Sequence, residues 1–387
     1  MIAESRRLAA VQTPVIPIVS RWIATTPGVV SLGQGVVSYG PPPEAIAAFR
    51  TFPATPGDHL YGPVEGEPAL VEAIEAKLAR ENGIRVRPES RVVVTTGSNQ
   101  AFFAALVAIA DPGDEVIVPS PYYFNHEMAV VMAGCRAVAV PTRADGQLDV
   151  GAIARAIGPR TRAVVTVSPN NPTGVVYPEA DLRALNALCA ARGVFHVHDE
   201  AYEYFTYDGA RAFSPGAIDG AAAHTISLYS CSKACGMASW RIGYMVIPGA
   251  LWEAVNKVQD TIAICPPRVS QRVALAAIGV GAAYARSALA ALDARRRRVM
   301  AALAAGDVPC DVPAPAGAFY VFPRLRRDLD PMALAERLVR EHRVAVIPGT
   351  AFGATGGCCL RISYGAVDEA TLDEGLRRLT AGLRAIA

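Results

Sequence analysis

Between Arg91 and Leu228, six short runs rich in β-branched residues alternate with stretches of helical composition, and this alternation limits the fold more than any other feature of the chain. The runs cover residues 92–95, 115–118, 137–140, 163–167, 194–197 and 225–228. Each is apolar along its length instead of alternating with polar residues, so both of its faces must be covered. Strands of that kind, separated by helices, form a mostly parallel sheet. The expected class is therefore α/β, a mostly parallel sheet sandwiched by helices. Ligands bind such sheets at the carboxyl ends of the strands. The turn sequences Gly97-Ser98-Asn99, Pro119-Ser120-Pro121 and Asn170-Asn171-Pro172-Thr173-Gly174 are thus candidates for one shared crevice.

Past about Ala285 the pattern changes. An arginine- and alanine-rich helical stretch leads into Gly317-Ala318-Phe319-Tyr320-Val321-Phe322, a helical run near 332–342, and two apolar runs at 344–347 and 359–363. That layout is α+β. With 387 residues there is material for two domains. The expected division is a large domain over 46–285 and a smaller one built from 1–45 and 286–387.

Charge and cysteine use narrow the partners. The formal charge is +2, and the basic residues are scattered apart from Arg295-Arg296-Arg297-Arg298. No aromatic residue interleaves that run, which reads as a solvated helix face, so nucleic acid is not an expected partner. The eight cysteines show neither zinc-ligand spacing nor a dense disulfide framework, so reduced thiols and no metal are expected. The start of the chain lacks the pattern of a secretory signal. The longest weakly polar run, 273–285, falls short of the roughly 20 residues that cross a bilayer. A cytoplasmic protein without membrane partners is the expectation.

The chemistry gathers around Lys233. It follows Ser230-Cys231-Ser232, and Arg241 comes eight residues later, both wrapped in apolar and small residues. An amine in a shielded pocket forms imines, while a guanidinium grips phosphate with a planar fork. Together they suit a pyridoxal 5'-phosphate Schiff base. Such a site needs a carboxylate at the ring nitrogen, and Asp199 stands at the end of its strand run, although alone it would read as a helix cap. Tyr202 and Asn171 are candidates for the phenolic oxygen. Gly97, Ser98 and Asn99 open a helical run whose N–H groups would face an anion, with Ser230, Ser232 and Arg241 completing the cup and Tyr61 reaching in. Tyr123, in Tyr122-Tyr123-Phe124, is the candidate to cover the ring.

With these residues in order, the chain resembles the class I/II aminotransferases of pyridoxal-phosphate fold type I, similar to bacterial aspartate and aromatic and to kynurenine aminotransferases. The resemblance runs nearly the whole length through Leu32-Gly33-Gln34-Gly35, Tyr61-Gly62-Pro63, Asp111-Pro112-Gly113-Asp114-Glu115, Asn171-Pro172-Thr173-Gly174, Asp199-Glu200-Ala201-Tyr202, Ser232-Lys233, Trp240-Arg241-Ile242-Gly243 and Arg361-Ile362-Ser363-Tyr364. It implies that Lys233 forms the internal aldimine and carries a proton between Cα and C4'. It implies phosphate contacts from Ser98, Asn99, Ser230 and Arg241, with Tyr61 given by the partner subunit of a homodimer. Arg361 would hold the substrate α-carboxylate, helped by Gly35 and Asn171. Without the family, Arg361 would read as a structural ion pair.

The amino donor is less constrained. Asn99 stands where some aspartate/prephenate enzymes of the family carry a lysine for a distal carboxylate, which points away from an acidic donor. Gln259 or Asp260 falls where another subgroup uses an arginine, and Arg268 is near enough to supply that charge instead. Tyr122, Phe124, His126, Ile16 and Ile18 are candidates for an apolar wall suited to aromatic or methionine-like side chains. The expected reaction moves the amino group of an L-amino acid to a 2-oxo acid, 2-oxoglutarate by family habit, in a ping-pong cycle. An aspartate aminotransferase, a lyase or oxidase of the same fold type, and a ligand-sensing domain remain as alternatives.

Overall fold

All six apolar runs become strands of one sheet, and a seventh strand joins them. The computed structural model describes residues 4–305 and 310–386. Across the sheet the strands lie in the order Ser90–Thr95, Gly243–Pro248, Thr225–Ser230, Phe195–Asp199, Thr161–Val167, Glu115–Ser120 and Arg136–Pro141. Gly243–Pro248 runs antiparallel to both neighbours, and the other pairings are parallel. This strand escapes the sequence reading because an antiparallel neighbour needs no helical crossover to mark it.

Burial on both faces follows from the side-chain period of two. Val116 and Val118 enter one core with Phe102, Val165, Val197 and Ile226, while Ile117 between them enters another with Val164, Leu182 and Leu185. The fold is α/β, a mostly parallel sheet flanked by helices. The helix Ser98–Ile109 packs on the strands Thr225–Ser230 and Gly243–Pro248, so its N-terminus stands at the carboxyl edge of the sheet.

The C-terminal part of the chain, joined by Val30–Ser31, builds a second layer. Tyr320–Val321, Leu360–Ser363 and Ile347–Pro348 form a small antiparallel sheet, and Val30–Ser31 pairs in parallel with Val344–Ala345. Leu334, Leu338, Leu372 and Leu379 of the helices Pro331–His342 and Glu369–Ile386 pack in the same core as Phe319, Tyr320 and Ile362. Tyr202, Phe205 and Tyr207 join that core too and close the seam with the large sheet. The helix Pro43–Arg50 straddles residue 45 and packs against Arg268–Val280. Among the described residues no helix is long and apolar enough to cross a membrane.

The arginine run departs from its expected role at one position. In the helix Leu289–Ala304 the buried residues are Leu292, Arg296, Val299 and Leu303, a helical stripe that passes through the run. Arg296 is paired with Asp208 at 2.6 Å and Asp293 at 2.7 Å, donates to the Pro315 carbonyl and covers the Tyr207 ring. Arg297 and Arg298 face solvent as expected. Arg296→Ala should destabilise the protein by roughly 2–3 kcal/mol, below the full penalty for a buried pair because Asp208 keeps water contact, whereas Arg297→Ala should change stability by less than about 0.5 kcal/mol. Urea unfolding of the two variants would measure the contrast.

Candidate active site

The strand Thr225–Ser230 ends in Ser230, whose Oγ accepts from the Ser232 N–H at 3.1 Å and caps the short helix Cys231–Ala234. Lys233 therefore leaves the sheet at a fixed angle. Its Nζ donates to the Gly35 carbonyl at 2.6 Å. Burial lowers its pKa to about 8, the charges of Arg361 and Arg241 push the same way, and Asp199 opposes them. A neutral amine is thus within reach near neutral pH.

Asp199 closes the middle strand Phe195–Asp199 and is 3% exposed. Its Oδ1 accepts from the Ala201 N–H at 3.0 Å. Its Oδ2 lies 3.2 Å from His126 Nε2, close enough for an ion pair but without the alignment of a hydrogen bond. His126 is fully packed, its ring 4.3 Å from that of Phe102. The expectation that His126 forms part of a substrate wall is corrected: it sits in the first turn of the helix Phe124–Met132 and backs the carboxylate.

An anion cradle faces the lysine. Gly97 precedes the helix Ser98–Ile109 at φ +90°, and no side chain caps that N-terminus. A Cβ on Gly97 would lie 2.5 Å from Arg241 Nη2, so the close approach requires glycine. Arg241 donates to the carbonyl of Ala238 at 2.9 Å and reaches the Ser232 hydroxyl and the Thr96 carbonyl at 3.5 Å. All of these partners are neutral.

Arg361 stands in the second layer and is 3% exposed. Its Nη1 donates to Asn171 Oδ1 at 3.0 Å and its Nη2 to the Gly33 carbonyl at 2.7 Å, while Tyr320 and Phe352 flank the guanidinium at 4.7 and 5.0 Å. Its Nε is buried without a partner. Among the described residues neither Arg361, which is buried, nor Arg241, which is exposed, has a carboxylate partner; a buried guanidinium such as that of Arg361 tolerates this when an anion completes it. Asn171 Nδ2 also donates to the Tyr202 hydroxyl at 3.4 Å.

Lys233, Asp199, Tyr202, Asn171, Tyr123, Ser98, Asn99, Ser230, Ser232, Arg241, Gly35 and Arg361 all line one cavity of about 390 Å³. Gly97 lies just behind it. Tyr61 does not reach it and is 78% exposed. Ser120 and Pro121 open into a different cavity, of about 690 Å³, so the expected shared crevice loses that turn. The substrate wall also changes. Phe124 and Ile16 line the cavity, but Ile18 does not, and Tyr122 packs against Gly353. Gln259 is spent on the carbonyls of Val64 at 2.5 Å and Val94 at 2.7 Å. Arg268 is bound to Glu67 and the Gly57 carbonyl, and Asp260 faces solvent, so none of the three lines this chain's cavity.

Among the cavity residues absent from the sequence reading of the site are Asn125, Tyr320 and Pro14. Asn125 donates to the Tyr123 hydroxyl at 2.8 Å, and that hydroxyl donates to Asn99 Oδ1 at 3.3 Å. Tyr320 meets the Tyr202 hydroxyl at 2.8 Å. Pro14 enters from the N-terminal segment. Only Tyr320 carried a signal, as a polar-tipped residue inside the apolar stretch 317–322.

Known proteins resemble this chain over most of its length. The family model for aminotransferase class I and II matches residues 27–379. A probable aspartate/prephenate aminotransferase of Thermus aquaticus is 39% identical over 92% of this chain and 91% of its own. Aromatic-amino-acid aminotransferase 2 of Thermococcus litoralis is 31% identical over 92% of each. A mutant Thermus thermophilus aspartate aminotransferase superposes with a TM-score of 0.90 at 35% identity, covering 99% of this chain and 100% of that one. With a family match that spans the sheet, the lysine and both arginines, this chain belongs to the class I and II aminotransferases.

Proposed function

We propose that the cavity holds pyridoxal 5'-phosphate and that the enzyme moves the amino group of a neutral L-amino acid to a 2-oxo acid, with 2-oxoglutarate as acceptor, in two half-reactions. The observation that carries this reading is a single cavity with two arginines lacking acid partners and a lysine whose pKa both of them depress. When bound, the cofactor supplies an electron sink for charge developing at the substrate Cα. The residues fit that group. Arg241, Ser230, Ser232, Ser98, Asn99 and the N–H groups behind Gly97 offer a phosphate converging donors at a helix N-terminus. Asp199, backed by His126, keeps a proton on the ring nitrogen. Tyr202 and Asn171 donate to the phenolic oxygen, and Tyr123 covers the ring.

Arg361 holds the substrate α-carboxylate, with its orphaned Nε supplying one arm of the fork. Lys233, whose amine can be neutral, would hold the cofactor and is placed to carry a proton to and from the substrate Cα. A homodimer completes the site with Tyr61 of the neighbouring subunit. Support comes from a patch of exposed Leu60, Tyr61, Ile262 and Ile264, whose two segments are tied by the Gly62 N–H to Cys265 Sγ contact at 3.3 Å.

The donor's side chain meets Phe124, Ile16, Pro14 and the amides of Asn99 and Asn125. Among the described residues no cation beyond Lys233, Arg241 and Arg361 lines the cavity. A second carboxylate would lose its hydration there without gaining a partner from this chain. Aromatic and methionine-like donors should therefore exceed aspartate in kcat/KM by about 10-fold or more. A panel of donors with 2-oxoglutarate, followed at the cofactor band, measures this. Faster turnover of aspartate or glutamate would overturn the assignment of a neutral donor and return the enzyme to the aspartate class.

A further inference from the structure

Tyr320 has no part in the reading above, yet it is fully buried and its hydroxyl meets that of Tyr202 at 2.8 Å. A tyrosine hydroxyl has one proton to give and room to accept two. Asn171 Nδ2 already donates to the Tyr202 oxygen at 3.4 Å. If Tyr202 gives its own proton to the phenolic oxygen, its remaining neighbour must donate to it as well. That neighbour is Tyr320.

Two further features favour this direction. The Arg361 guanidinium lies 4.7 Å from the centre of the Tyr320 ring. A cation over the ring stabilises the phenolate form, so it makes the hydroxyl a better donor. Burial still pushes Tyr320 up, but only to about 12, with Arg361 pulling it back, whereas Tyr202 stands well above its ordinary value through burial and the neighbouring Tyr320. The position is also fixed by the backbone. Tyr320 pairs across the strands with Ser363, two residues from Arg361 on the same face, and a Cβ on Gly35 would lie 2.8 Å from the Tyr320 oxygen. Space for that hydroxyl exists because residue 35 is glycine.

We propose that Tyr320 is a positioning residue, which donates to Tyr202 and thereby links the carboxylate-binding Arg361 to the cofactor's phenolic oxygen. The inference rests on the proposed pyridoxal-phosphate site. Donors to that oxygen stabilise its negative charge and lower the pH at which the lysine-linked nitrogen gives up its proton. Removing the Tyr320 hydroxyl weakens Tyr202 as a donor, so the midpoint must rise.

The test is a pH titration of the visible band of the holoenzyme for wild type, Tyr320→Phe, Tyr202→Phe and the double variant. Tyr320→Phe is expected to raise the midpoint by about half to one pH unit, the equivalent of one neutral hydrogen bond. Tyr202→Phe is expected to raise it further, and the double variant to match Tyr202→Phe, because Tyr320 acts through Tyr202. An unchanged midpoint in Tyr320→Phe overturns the proposal, and so does a double variant whose rise is the sum of the two. Should Tyr320→Phe fail to fold, Gly35→Ala displaces the same hydroxyl and is expected to raise the midpoint; no change or a fall overturns the link. A wild type without a titrating band would instead sink the cofactor reading itself.

Discussion

Lys233→Ala is expected to abolish the visible band of the lysine-bound cofactor and to lower turnover on the order of 10⁴-fold, the upper range for losing a positioned proton carrier. The chain has three lysines, and neither of the others can stand in. Lys77 is buried, held by Glu203 at 2.6 Å and Asn82 at 2.8 Å, and Lys257 is on the surface. The loss should fall on chemistry more than on the fold, because the Lys233 amine donates to the Gly35 carbonyl and its removal leaves that acceptor short. Spectroscopy of the purified variant with added pyridoxal phosphate, together with a single-turnover assay, checks both parts. A variant that kept band and turnover would remove the lysine from the reaction.

Arg361→Leu should lower kcat/KM by roughly 30-fold to several thousand-fold, the range for losing one partner of a buried charge-assisted contact worth about 2–5 kcal/mol. The substitution keeps an apolar volume between Tyr320 and Phe352 but strips the Asn171 amide oxygen and the Gly33 carbonyl of their donors. The cofactor band should persist, since the residues proposed to hold the phosphate are others. Arg361→Lys should recover only part of the loss, because a point charge cannot reproduce the planar fork. Equal losses for amines that lack an α-carboxylate would show that Arg361 acts elsewhere; the expected result is that such amines are insensitive to the change.

The site residues at strand ends were more legible in the sequence than those placed by packing. Gly97, Ser98, Asn171, Asp199 and Lys233 stand at strand ends, beside turn formers and apolar runs that mark those ends, so neighbours in sequence betray them. Gly243–Pro248 lacked such a marker because its partners lie on both sides without a crossover. His126, Gln259 and Arg296 were misread for a different reason. Each polar tip is buried by packing from segments far away in the chain, and residue type gives no sign of which way a helix turns it. The residues proposed to face the substrate's side chain, Pro14, Ile16 and Asn125, come from helix ends whose placement is decided by packing from distant segments.

The direction of Gly243–Pro248 has a consequence for how the enzyme lets go of its product. An antiparallel strand begins where its parallel neighbours finish, so Arg241, just ahead of it, lands on the same rim as Ser230 and Asp199. Arg241 and the lysine are thereby sewn into one sheet by a return of a few residues. Arg361 belongs to the other layer. On the proposed reading, a substrate carboxylate fastens the two layers like a clasp, and its departure unfastens them while every anchor of the cofactor stays on the rim.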